Sequence, residues 1–281
     1  MNDSLKLLDA PITTAKPFLK WAGGKSQLLP QYAPLFPKKF NTYFEPFLGG
    51  GAVFFYLAPQ KAILSDINKE LISTYNVVKN GVEELILELK KHKQKNKEKY
   101  YYRIRDLDPD ALSPVERAAR LIYLNKTCYN GLYRVNSQGK FNVPFSSYKN
   151  PLICDEEGLR AASFALQSAD FRVGDFEEIT FNLAKPEDFI YLDPPYYPLS
   201  DTANFTGYIP EGFGKREQER LAGIYKKLDK LGCYLMLSNS DTPFIRELYR
   251  GFLIETVEAG RAINSKAEGR GKITELVILN Y

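Results

Sequence analysis

Residues 189–196 read Phe-Ile-Tyr-Leu-Asp-Pro-Pro-Tyr. An apolar run ending in two prolines predicts a buried strand that stops abruptly. Pro194 restricts Asp193 to extended geometry, and Pro195 restricts Pro194 likewise. Neither proline has an N–H to donate. The expected result is a stiff, acceptor-rich corner at the carboxyl end of a strand. It offers the Asp193 carboxylate, unpaired carbonyls at Pro194 and Pro195, and the aromatic face of Tyr196. An exocyclic amine on a planar base needs such a set, two acceptors for its two N–H bonds and a ring to stack on. By itself the tetrapeptide is equally compatible with a strand-end turn.

Residues 42–51 read Thr-Tyr-Phe-Glu-Pro-Phe-Leu-Gly-Gly-Gly, and an apolar stretch from Ala52 to Leu57 follows. Strand, glycine loop and helix in that order are the layout of a nucleotide-type site in an α/β sheet. Gly49 and Gly51 let the backbone approach a ligand closely and offer N–H donors. The segment does not match the dinucleotide pattern G-x-G-x-x-G, so no nicotinamide or flavin is expected. The next strand, Ala62-Ile63-Leu64-Ser65, ends in Asp66. An acid at that tip can accept from both hydroxyls of a ribose. It can equally N-cap the helix that begins near Asn68. Upstream, Gly24-Lys25-Ser26 invites a P-loop reading, but position 19 is Leu where that pattern requires glycine. What remains there is an aromatic, two glycines and a lysine.

The only histidine of the chain, His92, sits in a run of lysines and is expected to be solvated. A histidine-based nucleophilic triad or metal site is therefore not expected. Cys128, Cys154 and Cys233 lack paired spacing, which points to reduced thiols in a cytoplasm, without a zinc site or a disulfide frame. No stretch has the apolar length of a membrane span, and no signal peptide opens the chain. A net charge of +4 is compatible with nucleic acid as a partner without proving it.

The coarse reading is α/β with an insertion. Strands are expected near 42–45, 61–65, 170–173, 188–192, 233–238, 252–258 and 273–280. Helices are expected near 52–57, 68–79, 175–184, 214–231 and 242–250. Residues 82–165 interrupt that alternation: 82–128 read as several helices, one of them opened by Ser113-Pro114-Val115-Glu116. Residues 131–148 carry a hairpin pattern with Asn136-Ser137-Gln138-Gly139 as its turn. The basic stretch Lys90–Arg103 reads as a solvated helix face. A polar loop, 264–272, separates the last two strands, and residues 1–15 read as a loose leader.

Six segments stand in one order: Lys20-Trp21-Ala22-Gly23-Gly24-Lys25, Phe44–Gly51, Ser65-Asp66-Ile67-Asn68, Asn130-Gly131-Leu132-Tyr133-Arg134, Phe141-Asn142-Val143-Pro144-Phe145 and Asp193-Pro194-Pro195-Tyr196. In this the chain resembles the Dam-type DNA adenine-N6 methyltransferases, over roughly residues 16–281. The order of the motifs is the alpha arrangement of amino-methyltransferases. The resemblance implies an α/β fold, a Rossmann-like mixed sheet with a helical target-recognition insertion carrying a β-hairpin. Residues 16–81 and 166–281 would form the catalytic domain, and 82–165 the recognition domain. It implies S-adenosylmethionine as methyl donor, no metal, double-stranded DNA as partner and GATC as target. It leaves open whether the enzyme acts alone or beside a cognate restriction endonuclease. By resemblance, Trp21, Lys25, Asp66, Asp175 and Asp193 belong to the cofactor site, with Gly49 and Gly51 in the glycine loop. Asp193, Pro194 and Tyr196 would handle the target amine. Lys20, Leu132, Arg134 and Pro144 would read bases, and Tyr129 and Asn130 would act at the flipped site. Members often continue Asn-Val-Pro-Phe with Gly-Arg-Tyr-Lys, whereas Ser146-Ser147-Tyr148-Lys149 follows here, so a phosphate-contacting arginine is not expected. Two other readings remain on the residues alone: methylation of cytosine N4 or of RNA, and a catalytically silent DNA-binding protein. The hairpin motif disfavours the first and the intact Asp193, Tyr196, Gly49 and Asp66 the second.

Overall fold

The computed structural model of the protein describes residues 14–199, 213–260 and 272–281. Its strands are β1 (Tyr43–Glu45), β2 (Ala62–Asp66), β3 (Ala169–Val173), β4 (Phe189–Leu192), β5 (Tyr234–Ser240), β6 (Leu253–Gly260) and β7 (Lys272–Leu279). Its α-helices are α1 (Leu29–Tyr32), α2 (Ala52–Leu57), α3 (Lys69–Asn80), α4 (Val82–Lys95), α5 (Glu98–Arg105), α6 (Pro114–Thr127), α7 (Glu156–Leu166), α8 (Phe176–Leu183), α9 (Lys215–Leu231) and α10 (Pro243–Leu248). Two units divide them. One comprises the described residues up to Gly23 together with Ser73–Gln167, the other those of Gly24–Ile72 and Ser168–Tyr281. The polar loop expected at 264–272 lies outside the described residues except for Lys272, as do residues 1–13 of the expected leader.

The second unit is built on one seven-stranded sheet in the order β3-β2-β1-β4-β5-β7-β6. β1 to β5 run parallel, and β7 lies antiparallel between β5 and β6. The strand order reverses between β1 and β4. In a doubly wound sheet, ligands settle outside the carboxyl ends of the strands at such a switch point.

The two faces of β4 have different fates because side chains alternate along a strand. Ile190 and Leu192 join Phe44, Leu235 and Leu237 against Leu221, Ile224, Tyr225 and Leu228 of α9, with Phe176 and Ile245 from α8 and α10. The apolar residues of α9 recur at i, i+3, i+4 and i+7, which puts them on one stripe. Its end is set by Gly232, whose φ of 90° is a left-handed conformation suited to glycine after a last helical turn. On the opposite face Tyr43, Phe189 and Tyr191 meet the rings of Tyr32, Phe36 and Phe40. Residues 25–36, not anticipated as helical, form short turns that bring these rings down on the sheet.

The first unit is helical. α6 opens with the expected Ser113, whose side chain accepts from Glu116 N while Glu116 accepts from Ser113 N at 3.0 Å. Residues 118–125 of α6 are buried on all sides, so this helix is the axis on which the unit packs. α7 has no counterpart in the sequence reading, although Asp155 caps it by accepting from Gly158 N at 3.1 Å. The hairpin expected over 132–143 is present as a turn closed by Asn136 N to Lys140 O at 2.9 Å and Asn142 N to Arg134 O at 3.0 Å. It has a single bridge, Val135–Phe141, rather than two regular strands. Two short strands with no sheet to join gain little from longer pairing.

His92 corrects the sequence reading. It is 9% exposed, stacks on Tyr123 with ring centroids 4.9 Å apart, and lies 2.8 Å through Nδ1 from the Tyr100 hydroxyl. The lysines flanking it in sequence point elsewhere on α4 because only every third or fourth residue shares a face. Burial pushes the His92 pKa down to about 4. The unfolded chain therefore binds a proton that the folded chain does not between about pH 6.5 and 4. Stability contributed by this residue is present above that window and lost as pH falls through it, by roughly 3 kcal/mol. His92→Phe keeps the stack and removes the titration. The midpoint of acid unfolding followed by circular dichroism should move to lower pH; an unchanged midpoint would show that His92 is not held neutral.

Candidate active site

The sheet brings acids to the carboxyl ends of β1, β2 and β4, and each is shaped by a different local cause. Asp193 follows β4 directly. It shares a face with Tyr191, two residues earlier, and both reach Ser238 of β5. Ser238 donates to Asp193 Oδ1 at 2.7 Å, and the hydroxyls of Tyr191 and Ser238 are 3.1 Å apart. Lys25 Nζ donates to Asp193 Oδ2 at 2.8 Å. This lysine is 4% exposed, so the pair is an ion pair sunk in the protein. The same Nζ stands 4.8 Å from the centroid of the Tyr196 ring, within the range of a cation–π contact. Tyr196 donates its hydroxyl proton to Glu275 Oε2 at 2.7 Å, and burial holds the hydroxyl pKa well above its ordinary value.

The corner itself differs from the expectation at one atom. The Pro195 carbonyl is not unpaired: Gln218 of α9 donates to it from Nε2 at 2.8 Å. Gln218 in turn accepts from Asn239 Nδ2 at 3.0 Å, and Asn239 Oδ1 accepts from Tyr197 N at 3.1 Å. A buried carbonyl beside a proline pair recruits the nearest donor, here from a helix 23 residues further on.

Glu45 ends β1 with its side chain on the same face as Tyr43. Its Oε2 accepts from the Tyr43 hydroxyl at 2.9 Å and from Phe54 N at 3.2 Å. Phe54 is the third residue of α2, whose N-cap is Gly51, so Glu45 supplies the capping oxygen that glycine lacks. Between them Gly49 and Gly51 have φ of 47° and 65°, a region where a side chain is disfavoured.

Asp66 is the last residue of β2. Its Oδ2 accepts from Gly49 N at 3.1 Å and its Oδ1 from Asn68 N at 2.9 Å. The N-cap of α3 is Asn68, whose Oδ1 accepts from Leu71 N at 3.1 Å, so the capping role weighed for Asp66 falls to its neighbour. Burial raises the pKa of Asp66, and the Asn68 and Gly49 amides oppose it. Asp175 is engaged otherwise. It caps α8 through Glu177 N at 2.9 Å and forms a two-pronged pair with Arg220, at 2.8 and 2.7 Å, which holds its carboxyl below the usual range.

In the helical unit a second group gathers. Asn125 of α6 accepts from Lys20 N at 2.9 Å and donates to the carbonyls of Lys20 and Gly131 at 2.8 and 2.9 Å. Gly131 has a φ of 65°, and a Cβ there would come within 2.4 Å of Lys20 Cδ. Tyr129 N donates to Pro144 O at 2.9 Å, and the Leu132 carbonyl accepts from Cys128 Sγ at 3.3 Å. Asn130 has a φ of 56° at the turn between them. Trp21 stacks on Tyr133 at 5.2 Å, and Lys20 Nζ is 4.9 Å from the Tyr148 ring centroid. Arg134 is exposed and donates from Nε to Asn142 Oδ1 at 2.7 Å. Thus Lys20, Tyr129, Asn130, Leu132, Arg134 and Pro144 come together in one unit, and Lys25, Gly49, Gly51, Asp66, Asp193, Pro194 and Tyr196 in the other. Asn125, Gln218, Ser238 and Glu275 organise these groups without belonging to any motif of the sequence reading.

A doubly wound sheet with acids at the carboxyl ends of its central strands and an Asp-Pro-Pro-Tyr corner beside its switch point is the arrangement of a Rossmann-like methyltransferase. Relatives narrow that class. The family model of the D12 class N6 adenine-specific DNA methyltransferases matches residues 21–263. The type II methyltransferase M1.LlaDCHI of Lactococcus lactis subsp. cremoris is 47% identical over 283 residues, covering 99% of this chain and 99% of its own. The type II methyltransferase M.MjaIII of Methanocaldococcus jannaschii is 47% identical, covering 95% of this chain and 99% of its own. A DNA adenine methylase of Escherichia coli is 38% identical over 93% of this chain and 94% of its own. The chain belongs to the D12 class of N6 adenine-specific DNA methyltransferases. Among the described residues no helix is long and apolar enough to cross a membrane.

Burial pushes the pKa of Glu45 up to about 8, with Asp193 adding to the rise and Lys25 opposing it. The folded protein then holds a proton on Glu45 that the unfolded chain has released above about pH 4.5. Stability falls as pH rises from there to about 8, by an amount on the order of 5 kcal/mol. Glu45→Gln retains both acceptor bonds and has no proton to lose. In urea unfolding of the cofactor-free protein it should be the more stable form at pH 8.5 and show a flatter pH dependence. A wild-type stability that rises over this range would contradict a protonated Glu45.

Proposed function

We propose that the protein transfers a methyl group from S-adenosylmethionine to N6 of adenine in duplex DNA, with GATC as its target, after flipping the base out of the helix. The observation that carries this reading is the Asp193 carboxylate, fixed by Lys25 at 2.8 Å and Ser238 at 2.7 Å beside the ring of Tyr196. The lone pair of the adenine amine is delocalised into its ring, so the amine is a weak nucleophile. A carboxylate has about four acceptor positions, so Asp193 keeps capacity on each oxygen after Lys25 and Ser238 are counted. Asp193 and the Pro194 carbonyl accept from the two N–H bonds and draw the nitrogen toward tetrahedral geometry. As the N6–carbon bond forms, the sulfonium–methyl bond would break and its electron pair would leave with sulfur as a neutral thioether; the positive charge passed to nitrogen is stabilised by the fixed carboxylate and removed when one N–H proton is lost to solvent. Tyr196 stacks on the base with the face that Lys25 does not cover. A base inside the duplex cannot meet these groups, which is the reason for flipping.

S-adenosylmethionine supplies an electrophilic methyl on a sulfonium. The donor set fits it. Each oxygen of Asp66 accepts one backbone N–H and can accept one of two neighbouring ribose hydroxyls. Gly49 and Gly51 bare their backbone to a ligand, and Lys25 offers a cation. Trp21 belongs to this set by resemblance, as does Asp175, kept in place by Arg220 as a border for the adenine. Residues 82–165 serve as the recognition domain, with Lys20, Leu132, Arg134 and Pro144 reading bases and Tyr129 and Asn130 at the flipped site. Arg134 leaves most of its Nη hydrogens for a guanine edge, since Asn142 takes Nε. The names of two relatives as type II methyltransferases support a place beside a cognate restriction endonuclease.

Transfer of tritium from labelled S-adenosylmethionine to a GATC duplex tests the reading. Asp193→Ala should lose all transfer while its far-ultraviolet circular dichroism stays native; an active variant would remove Asp193 from the chemistry. Arg134→Ala should cost about 1–3 kcal/mol of discrimination at one base pair, so that sites altered there become substrates. A loss spread evenly over every singly substituted site, with a salt slope lower by about one contact, would make Arg134 a phosphate ligand instead.

A further inference from the structure

The hydroxyl of Tyr196 ends on a residue that no motif contains. β7 runs antiparallel to β5, so its first residues lie alongside the carboxyl end of β5, with Glu275 opposite Ser240. Val277 pairs with Ser238 in the same ladder, and Glu275 lies two residues away. Alternation along both strands therefore puts Glu275 on the face where Ser238 meets Asp193. From there its carboxylate accepts the Tyr196 hydroxyl at 2.7 Å, across 79 residues of sequence. An O–H bond to a carboxylate is about twice as strong as one between neutral groups.

The backbone around Tyr196 is already fixed, by Gln218 on the Pro195 carbonyl and Asn239 on the Tyr197 amide. A fixed backbone still leaves the phenol ring free to rotate about its two side-chain torsions. Lys25 meets the ring on one face at 4.8 Å and limits its approach on that side. The remaining freedom, the tilt of the ring, calls for a strong anchor at its far end. Glu275 is that anchor.

We infer that Glu275 is a positioning residue for methyl transfer, which sets the plane of the Tyr196 ring on which the target adenine stacks. The inference rests on the reading of Asp193 and Tyr196 as the amine site. It assigns to β7, through Glu275, a share in catalysis that is separate from its pairing in the sheet. Glu275 touches neither substrate nor cofactor and acts through Tyr196 alone. Without it the base is still bound, but over a spread of orientations in which its amine points at the methyl group only part of the time. The loss therefore falls on turnover more than on binding.

Single-turnover and steady-state methylation of a GATC duplex by Glu275→Ala, Glu275→Gln, Tyr196→Phe and the double variant tests this. Glu275→Ala and Tyr196→Phe should each lower kcat by roughly ten- to a hundredfold, the range of one bond to a charged acceptor, with KM for S-adenosylmethionine little changed. Combining them should cost no more than either alone, because both remove the same bond. Glu275→Gln, which keeps an acceptor oxygen, should recover a large part of the loss. Losses that multiply in the double variant, or full kcat in Glu275→Ala, would overturn the inference. If Glu275→Ala does not fold, Tyr196→Phe with unchanged kcat overturns it equally. In that case an inactive Asp193→Ala leaves the amine-site reading standing; an active one removes that reading and the inference with it.

Discussion

The ion pair of Lys25 and Asp193 is the interaction on which the sheet unit turns. The Asp193 carboxylate at the end of a central parallel strand is 19% exposed, and its lysine partner, 4% exposed, is almost wholly out of water. Each makes the burial of the other tolerable; removing one partner from such a pair typically costs 3–5 kcal/mol. The surroundings are arranged to the same end. Ser238 donates to the carboxylate, Tyr196 lays its ring beside the ammonium, and Glu45 is pushed towards its neutral form. One net charge more or less at this point would upset three other groups.

That polar chain is possible because the central strands separate their duties by face. Ile190 and Leu192 look into a mainly apolar layer against α9, while Tyr191 and Asp193 look into a layer of tyrosines, a serine and a lysine. The first layer supplies most of the apolar burial, and the second holds the polar groups of the candidate site. Rings such as Tyr32, 6.2 Å from Tyr191 between centroids, fill the second layer without supplying further charge.

The strands and most helices were legible in the sequence, since alternation, glycine and proline are local signals. Resemblance assigns Lys25 and Asp193 to one site, but their ion pair is not legible in the sequence. What could not be read was set by distant partners. Ser238 and Glu275 are an ordinary serine and glutamate in β-strands until the sheet order puts them beside Asp193 and Tyr196. Gln218 looks like a polar residue of an amphipathic helix, yet it closes the Pro195 carbonyl. His92 misled because its neighbours in sequence are lysines, while its neighbours in space, Tyr100 and Tyr123, come from the next two helices. Asp66 and Asn68 stand two residues apart at a strand–helix junction, and only hydrogen-bond geometry decides which of them caps.

The placement of β7 has a consequence for how the molecule comes into being. β6 enters the sheet solely by pairing with β7, and β5 has β7 as its partner on that side. A growing chain that has reached residue 260 holds β6 with nowhere to dock and a long open edge on β5, a template for unwanted strand pairing. The edge is sealed only after residues 272–279 leave the ribosome, and a chain stopped short of them is exposed to aggregation rather than merely shortened. Closure of this side of the sheet thus waits on β7, although β6 precedes it in the chain.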